Sequence, residues 1–304
     1  MRGKRIRFPL FCSLSETKRR EYHEENACAH PDPCAGSGAA LTLTACGSKS
    51  GVTIGVPNDT TNEARALVLL EKLGYIKLKA ADDVTLLTVR DITENPYNIT
   101  FKEIEAAQLP NVLPDVDFAI INSNYAIEAG ITPITTEGTD VSYPNIIAVK
   151  DGTQDTDKIK ALVAAVNSQP VKDYILNTYK GAIVCDLGTV TDGTDPTVDY
   201  AALAGTTISI AASPTPHTDI LKIAKDVLAG LDIELKIIEY TDYVQPNNVV
   251  ESGEVDANYF QHIPYLENFN AENGTHIVSV LEVHHEPMGI YAGKQSDLNV
   301  IKSK

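Results

Sequence analysis

The same local pattern occurs twice in this chain: a short apolar run, then a turn, then a helix with one apolar face. Residues 52–56 predict a buried strand, Pro57-Asn58-Asp59 follows as a turn, and a helix is expected to begin near Thr60 or Thr61. The pattern returns at residues 207–211, where Ser213-Pro214-Thr215-Pro216 precedes the second helix. Two such openings predict two α/β units.

Each opening is followed by a further matching segment, residues 115–122 in one half and 254–261 in the other. The chain therefore reads as a loose duplication, and its 304 residues are enough for two lobes. Strands that alternate with helices favour mostly parallel sheets, whose ligand contacts gather beyond the carboxyl ends of the strands. We expect two α/β lobes that face each other across a cleft.

The expected domain boundaries follow from these patterns. The first lobe is predicted to occupy residues 51–140 and the second lobe residues 141–304. Residues 187–205, rich in Gly, Thr and Asp, predict a linker within the second lobe. The first 50 residues predict a leader that is disordered or removed.

Charge limits the classes of partner. The chain has 41 acidic and 25 basic residues, a formal net charge of −16. Nucleic-acid phosphates and anionic lipid surfaces would be repelled by most of such a surface, so a nucleic-acid partner is not expected. No continuous apolar run approaches the roughly 18–20 residues of a membrane-spanning helix.

Four of the five cysteines, Cys46 among them, lie in the first 46 residues, so no disulfide framework is expected in the body of the protein. The segment Leu43-Thr44-Ala45-Cys46-Gly47 resembles a bacterial lipobox, in which the cysteine carries a lipid after cleavage. Cys46 would then hold the chain on the extracytoplasmic face of the cell membrane. The alternative is a chance match within the leader, because the apolar stretch before it is short.

Asn62 and Arg65 lie three residues apart in the first turns of their predicted helix. They share a face at the end where the helix dipole and unpaired backbone amides attract anions, which suits a carboxylate ligand. A surface arginine beside a capping asparagine is the alternative interpretation. Downstream, Tyr243 and the run 259–262 offer aromatic rings that suit an apolar or thioether side chain, although an ordinary aromatic core fits equally well.

His284, His285 and Glu286, with His217 elsewhere, raise the alternative of a metal-binding surface protein. Adjacent histidines on a strand point to opposite faces, so this pair is poorly placed to hold one ion, and no metal or other cofactor is expected. The chain has neither a Gly-x-Ser-x-Gly elbow nor a phosphate-binding Gly-x-x-x-x-Gly-Lys run. We therefore do not expect an enzyme.

Several segments together closely resemble the methionine-binding lipoproteins of the NlpA family, over most of residues 52–184 and 206–301. The resemblance implies a two-lobed periplasmic-binding-protein fold of type II, with mixed, mostly parallel sheets. It also implies a monomer that passes L-methionine, or a related amino acid, to the permease of an ABC importer. Another small amino acid, a short peptide or a surface adhesin remains an alternative. The segments are 56–67, 105–110, 212–217, 242–247 and 256–262.

The resemblance also implies a set of ligand contacts. Arg65 would hold the ligand carboxylate, Asn62 and Asn145 the polar end of the amino acid, Tyr243 and Phe260 the thioether, and His262 a further polar contact. Asn122 and Asn124 are expected to support the site without contacting the ligand.

The order of the segments departs from the family, in which the part that matches 206–301 comes first. The chain thus resembles a circular permutation, with 187–205 joining the usual ends of the family. Permutation preserves a fold when the former termini lie close together, and 19 residues of flexible linker span roughly 20–25 Å. We expect the new break to interrupt a segment that crosses between the lobes and therefore to loosen the hinge.

Overall fold

The strands of the protein form two main sheets and one short ribbon in a computed structural model that describes residues 51–138 and 143–303. In the first part of the chain the elements are β1 (Thr53–Pro57), α1 (Thr60–Lys72), β2 (Lys77–Leu78), β3 (Ile92–Glu94), β4 (Thr100–Ile104), β5 (Phe118–Ile121), α2 (Ser123–Glu128) and β6 (Thr135–Thr136). Three 3₁₀ helices lie between them, at Val84–Leu86, Val89–Asp91 and Ala106–Asp115.

The next elements belong to the second sheet and its helices, and the last two return to the first sheet. They are β7 (Asn145–Lys150), α3 (Asp157–Val166), α4 (Gln169–Tyr179), β8 (Val184–Cys185), α5 (Tyr200–Leu203), β9 (Thr207–Ala212), α6 (His217–Ala229), β10 (Glu234–Glu239), α7 (Gln245–Glu251), β11 (Ala257–His262), α8 (Ile263–Asn273), β12 (Ile277–His285), β13 (Gly289–Ala292) and α9 (Asn299–Ser303).

The two main sheets share one strand arrangement. In the first, ordered β4-β1-β5-β13-β6, the opening strand β1 lies between two parallel partners and β13 is antiparallel to β5. In the second, ordered β10-β9-β11-β7-β12-β8, the opening strand β9 likewise lies between parallel partners and β7 is antiparallel to β11. The predicted duplication and the two-lobed, mixed α/β periplasmic-binding-protein fold are confirmed. We call the sheets with their helices the first lobe and the second lobe.

The strand-turn-helix openings form where the sequence predicts them. Helix α1 begins at Thr60 and ends at Lys72. Gly74 then adopts a φ of 75°, a left-handed conformation that favours glycine. Its amide donates to the carbonyl of Glu71 at 2.8 Å, and the amide of Tyr75 donates to Leu70 at 3.0 Å, which closes the helix end.

Buried apolar side chains fill the core of each lobe on both faces of its central strand. Ile54, Leu67 and Phe118 are fully buried in the first lobe, and Ile210 and Leu221 in the second. Continuous apolar strands of this kind are typical of parallel sheets covered by helices on both faces. No helix within the described residues is both long and apolar enough to cross a bilayer.

The chain passes between the lobes in two places. The first crossing, between Thr136 and Asn145, leads from β6 to β7, and the second crossing, residues 286–288, leads from β12 to β13. The strand that follows each crossing enters its sheet antiparallel to the existing strands.

The sequence placed residues 141–304 in the second lobe, whereas β13 pairs with β5 and Ile301 packs in the first-lobe core. The sequence does not reveal a lobe boundary near Glu286, because the pairing of β13 with β5 joins segments far apart in the chain and leaves no local pattern.

The expectation of an interrupted crossing is wrong. Val52 and Ile301, close to the two ends that the resemblance would join, are both fully buried in the core of the first lobe. Neither residue lies in a crossing, so the segment order gives no reason for a looser hinge. The predicted linker, 187–205, is anchored on the second lobe, where Leu187 and Leu203 are buried and α5 forms a short helix.

Candidate functional site

The facing ends of the two lobes enclose a cavity with about 360 Å³ not filled by protein atoms, including its mouth. The structure brings together all six residues predicted to contact the ligand, and six further residues lie among them. The lining consists of Asn62, Arg65, Asn122, Ser123, Asn124, Asn145, Tyr243, Phe260, Gln261, His262, Tyr265 and Glu286.

A relay of amides at the start of α1 forms one wall of the cavity. Asp59 caps the helix, and its carboxylate accepts from the backbone N of Asn62 at 3.0 Å and from Asn62 Nδ2 at 2.9 Å. Asn62 Oδ1 in turn accepts from Asn122 Nδ2 at 2.8 Å. Because a carboxylate can only accept, the orientation of both amides is determined by Asp59. Asn122 Oδ1 is left buried without a hydrogen-bond partner.

Arg65 lies on the same helix, but one edge of its guanidinium already has partners. Its Nε donates to the two carboxylate oxygens of Glu137 at 3.0 and 3.1 Å, and its Nη2 also bonds to Glu137 and donates to the backbone carbonyl of Glu286 at 2.7 Å. The guanidinium carbon of Arg65, Cζ, lies 4.4 Å from the ring centroid of Tyr143. Within the described residues, Nη1 makes no hydrogen bond, so this nitrogen is the part of Arg65 that can meet a ligand carboxylate.

Glu137 was not indicated by the sequence, although it determines how Arg65 is held. Its side chain is 4% exposed and that of Arg65 is 6% exposed, so the ion pair is buried. Glu137 Oε1 also accepts from the backbone N of Met288 at 2.8 Å. Glu137 belongs to the first crossing and Met288 to the second. The Arg65–Glu137 pair therefore joins both segments about which the lobes could move.

An aromatic wall lies on the side of the second lobe. The ring centroid of Tyr243 is 5.8 Å from Phe260 and 5.9 Å from Tyr265, which are themselves 5.9 Å apart. Tyr243 also reaches the first lobe, where its hydroxyl donates to Asn124 Oδ1 at 2.8 Å and its ring lies 5.0 Å from Tyr125. Burial raises the pKa of the Tyr243 hydroxyl well above its usual range, so the wall is uncharged. The sequence did not indicate Tyr265, which follows the aromatic run on the next helix.

His262 lies at the end of β11 and caps α8. Its Nδ1 accepts from the backbone N of Tyr265 at 3.3 Å, and its Nε2 approaches Asn62 Oδ1 at 3.4 Å across the cleft. With Nδ1 acting as the acceptor, Nε2 carries the proton and donates to the amide oxygen. Burial and, to a smaller extent, the charge of Arg65 together lower the pKa of His262 to about 3, so the imidazole is neutral at physiological pH. His262 therefore links the second lobe to the amide relay.

Two more histidines contact Glu286, whose carboxylate belongs to the cavity wall. His284 Nε2 lies 3.0 Å from Glu286 Oε1, and its Nδ1 is bonded to the hydroxyl of Tyr259. His217 Nε2 lies 3.0 Å from Asn145 Oδ1 and 3.9 Å from Glu286 Oε1. Burial lowers the pKa of each histidine to about 3 and raises the pKa of the Glu286 carboxyl. Neutral imidazoles can donate from Nε2 to the oxygens beside them, so the cluster forms a hydrogen-bond network.

The structure brings together three of the four residues that raised the metal alternative, and leaves out His285. His284 and His285 have separate partners, since His285 Nδ1 lies 2.9 Å from both oxygens of Asp186. The group with donor atoms close enough for one ion is His217, His284 and Glu286, within 4.8 Å of one another. Their spacing could accommodate an ion, but the Nε2 atoms and Glu286 Oε1 already have hydrogen-bond partners. The expectation of no metal remains a prediction.

This chain resembles known proteins over parts of its length. Curated relatives include the probable D-methionine-binding lipoprotein MetQ of Pasteurella multocida, 40% identical over 140 residues, which are 45% of this chain and 50% of that protein. Membrane lipoprotein TpN32 of Treponema pallidum is 38% identical over 139 residues, 44% of this chain and 52% of that protein. The chain thus spans about half the length of the curated relatives it matches.

Among solved structures, a nutrient-binding protein from Burkholderia cenocepacia bound to methionine is 45% identical, with 43% of this chain and 57% of that chain covered and a TM-score of 0.42. The lipoprotein Tp32 from Treponema pallidum is 33% identical, with coverages of 43% and 56% and a TM-score of 0.37. The model of the family described as NlpA lipoprotein matches residues 44–186 and 208–304, on either side of the predicted linker. This chain belongs to the NlpA lipoprotein family.

Proposed function

We propose that this protein captures methionine in the cleft between its lobes and passes it, without chemical change, to the permease of an ABC importer. The observation that carries the proposal is the placement of Arg65 Nη1 and the ring wall around one cavity. A guanidinium edge suits a ligand carboxylate, and ring edges attract a thioether sulfur by about 0.3–1.5 kcal/mol. Relatives named for D-methionine binding and a methionine-bound relative support this ligand class.

The ligand contacts are part of the proposal. Arg65 binds the carboxylate, and Asn62 and Asn145 contact the polar end of the amino acid. Tyr243 and Phe260 flank the thioether, while His262 holds the Asn62 amide in place through its contact across the cleft. Closure of the lobes around the ligand then requires movement only at the two crossings.

The lipid anchor is a separate proposal, and it rests on the family and on the lipobox resemblance. Cys46 lies outside the described residues, and the family model matches the chain from residue 44 onwards. We propose that Cys46 carries the lipid and holds a monomer on the extracytoplasmic face of the cell membrane. Metabolic labelling with a radioactive fatty acid should label the wild type and not Cys46→Ser, and an unlabelled wild type would contradict the anchor.

Titration calorimetry of the purified, ligand-stripped protein tests the ligand. We expect L-methionine to bind with a stoichiometry of one, and a competition panel of D-methionine, leucine, glutamine and methionine-containing dipeptides to rank below or beside it. A folded protein that gives no heat with L-methionine but binds another member of the panel would replace methionine by that ligand. A folded protein that binds no member would contradict amino-acid capture.

A further inference from the structure

The cavity wall contains polar side-chain atoms without hydrogen-bond partners, some of them acceptors and one a donor. Among the described residues that line the cavity, two buried side-chain atoms have no hydrogen-bond partner, and both are oxygens: Asn122 Oδ1 and Glu286 Oε2. Buried acceptors without a donor are rare in native proteins and cost about 1–3 kcal/mol each. Arg65 Nη1, by contrast, is a donor. The wall thus offers acceptors at one place and a cationic donor at another.

The direction of the Asn122 oxygen follows from the hydrogen bonds behind it. The carboxylate of Asp59 requires Asn62 to present its Nδ2, which leaves Asn62 Oδ1 for Asn122 Nδ2 at 2.8 Å. Asn122 can then present only its Oδ1 to the cavity. Asn62 and Asn122 are both buried, and turning either amide over would break the contacts of the other, so this acceptor is a fixed part of the wall.

Glu286 presents an acceptor of higher charge density. Its Oε1 is bonded to His284 Nε2 at 3.0 Å, and His217 Nε2 lies 3.9 Å away. Both imidazoles are neutral, because burial lowers the pKa of each to about 3. The nearby cation, Arg65, gives its hydrogen bond to the Glu286 backbone and pairs its charge with Glu137. Glu286 therefore has no side-chain ion pair with a cation in the described part of the chain.

We propose that Glu286 Oε2 and Asn122 Oδ1 bind the α-ammonium group of the amino-acid ligand, so that the site admits only ligands with an unblocked α-amino group. An ammonium has three N–H donors and a positive charge, which match two unpaired acceptors of which one is a carboxylate. The inference rests on the proposed function, because it assigns the second charged group of the same ligand. It adds two binding residues to those that the sequence predicted.

The same geometry disfavours a metal ion as the partner of Glu286. An ion held by His217, His284 and Glu286 would have to replace the proton on each Nε2 and break the contacts with Asn145 and Glu286 Oε1. An ammonium at Oε2 leaves all of these hydrogen bonds in place. It also supplies a donor to Asn122, which a metal ion bound to the two histidines does not.

Calorimetry with three ligands that differ only at the α-position tests the proposal. We expect L-methionine to bind the wild type, and both N-acetyl-L-methionine and 4-(methylthio)butanoate, which lacks the amino group, to bind at least about 100-fold more weakly. Glu286→Gln should weaken L-methionine binding by about 10- to 100-fold and leave the weak binding of 4-(methylthio)butanoate within about threefold. Asn122→Ala should show the same selective loss with a smaller amplitude.

Glu282→Gln is the matched control, because Glu282 lies on β12, the strand that ends just before Glu286, and its side chain is exposed. This variant should bind all three ligands like the wild type. Thermal unfolding is measured for every variant, and if Glu286→Gln does not fold, the selective loss in Asn122→Ala decides the outcome. Wild-type binding of L-methionine that is unchanged in the folded variants would overturn the ammonium assignment while leaving methionine capture intact.

A wild type that binds no amino acid would overturn both proposals. The same measurements with zinc chloride test the metal alternative. If zinc stabilises the wild type, and the wild type binds N-acetyl-L-methionine as tightly as L-methionine, Glu286 is assigned to a metal and the proposal is contradicted. Under the proposal, zinc chloride at equimolar concentration leaves the melting temperature unchanged, and the preference for the free amine persists in the presence of a chelator.

Discussion

Arg65 and Glu137 form a buried ion pair that connects the ligand cavity to both crossings between the lobes. Arg65 reaches the backbone of Glu286 at the start of the second crossing, and Glu137 accepts from the backbone N of Met288 at its end. A residue predicted to bind ligand thus also holds the two hinge segments together. Ligand binding and hinge geometry therefore share one side chain.

Arg65→Ala should affect both binding and stability. Loss of the guanidinium removes the charged partner of the ligand carboxylate, about 2–5 kcal/mol by analogy with other buried charge pairs. It also leaves Glu137 buried without its partner, which costs about 3–5 kcal/mol of unfolding free energy. Calorimetry and urea denaturation measure the two effects. Unchanged affinity in a folded Arg65→Ala protein would show that the carboxylate site lies elsewhere.

The double variant Arg65→Met/Glu137→Leu separates the two roles. Apolar side chains of similar volume in place of a buried ion pair are often neutral or stabilising, so most of the stability lost in Arg65→Ala should return. Ligand affinity should not return, because no cation faces the carboxylate. Restored binding in the double variant would mean that Arg65 acts only by holding the crossings together.

The contact of Tyr243 with Asn124 should contribute to closure of the cleft. Tyr243→Phe removes the hydroxyl that donates to Asn124 Oδ1 at 2.8 Å while keeping the ring wall. We expect methionine affinity to fall by about 0.5–1.5 kcal/mol, with little change in the selectivity for thioether over aliphatic side chains. Phe260→Leu removes one ring of the aromatic wall and should reduce that selectivity instead. Calorimetry with methionine and norleucine compares the two variants.

Stability should depend on pH through the buried histidines. In the folded protein burial lowers the pKa of His217, His262 and His284 from 6.5 to about 3. Each is neutral when folded and takes up a proton on unfolding below pH 6.5, so its contribution is complete above that pH and is lost as the pH falls toward 3. At pH 5 the loss is about 2 kcal/mol per histidine.

The carboxyls of Asp59 and Glu286 act in the opposite direction, because burial raises the pKa of each. They hold protons in the folded state over part of the same range and reduce the net loss of stability. Urea denaturation at pH 7 and pH 5 should show a smaller loss for His284→Asn than for the wild type, by about 2 kcal/mol. Equal losses in the two proteins would mean that His284 is protonated when folded.

The sequence predicted the parts of the site that short segments carry. Asn62 and Arg65 share one turn of α1, and Phe260 and His262 share one strand, so their spacing already places them on common faces. It missed Glu137 and Tyr265, and it assigned a supporting role to Asn122, which lines the cavity. These side chains enter the site through contacts such as Arg65–Glu137, which join residues far apart in the sequence and leave no local pattern.

The duplicated openings likewise predicted two lobes but not the membership of every strand. An isolated apolar segment such as β13 fits either sheet, and only its antiparallel pairing with β5 decides between them. The looser hinge was predicted from segment order alone. Its premise, an interrupted crossing, is wrong, because Ile301 and Val52, near the two ends of the break, pack in the core of the first lobe.

Native mass spectrometry with saturating L-methionine tests most directly that the cleft binds a single amino acid through Arg65. The wild type should carry one adduct of methionine mass, and Arg65→Met/Glu137→Leu, folded by its circular dichroism, should carry none. A wild type without the adduct, or an adduct retained in the double variant, would contradict the account.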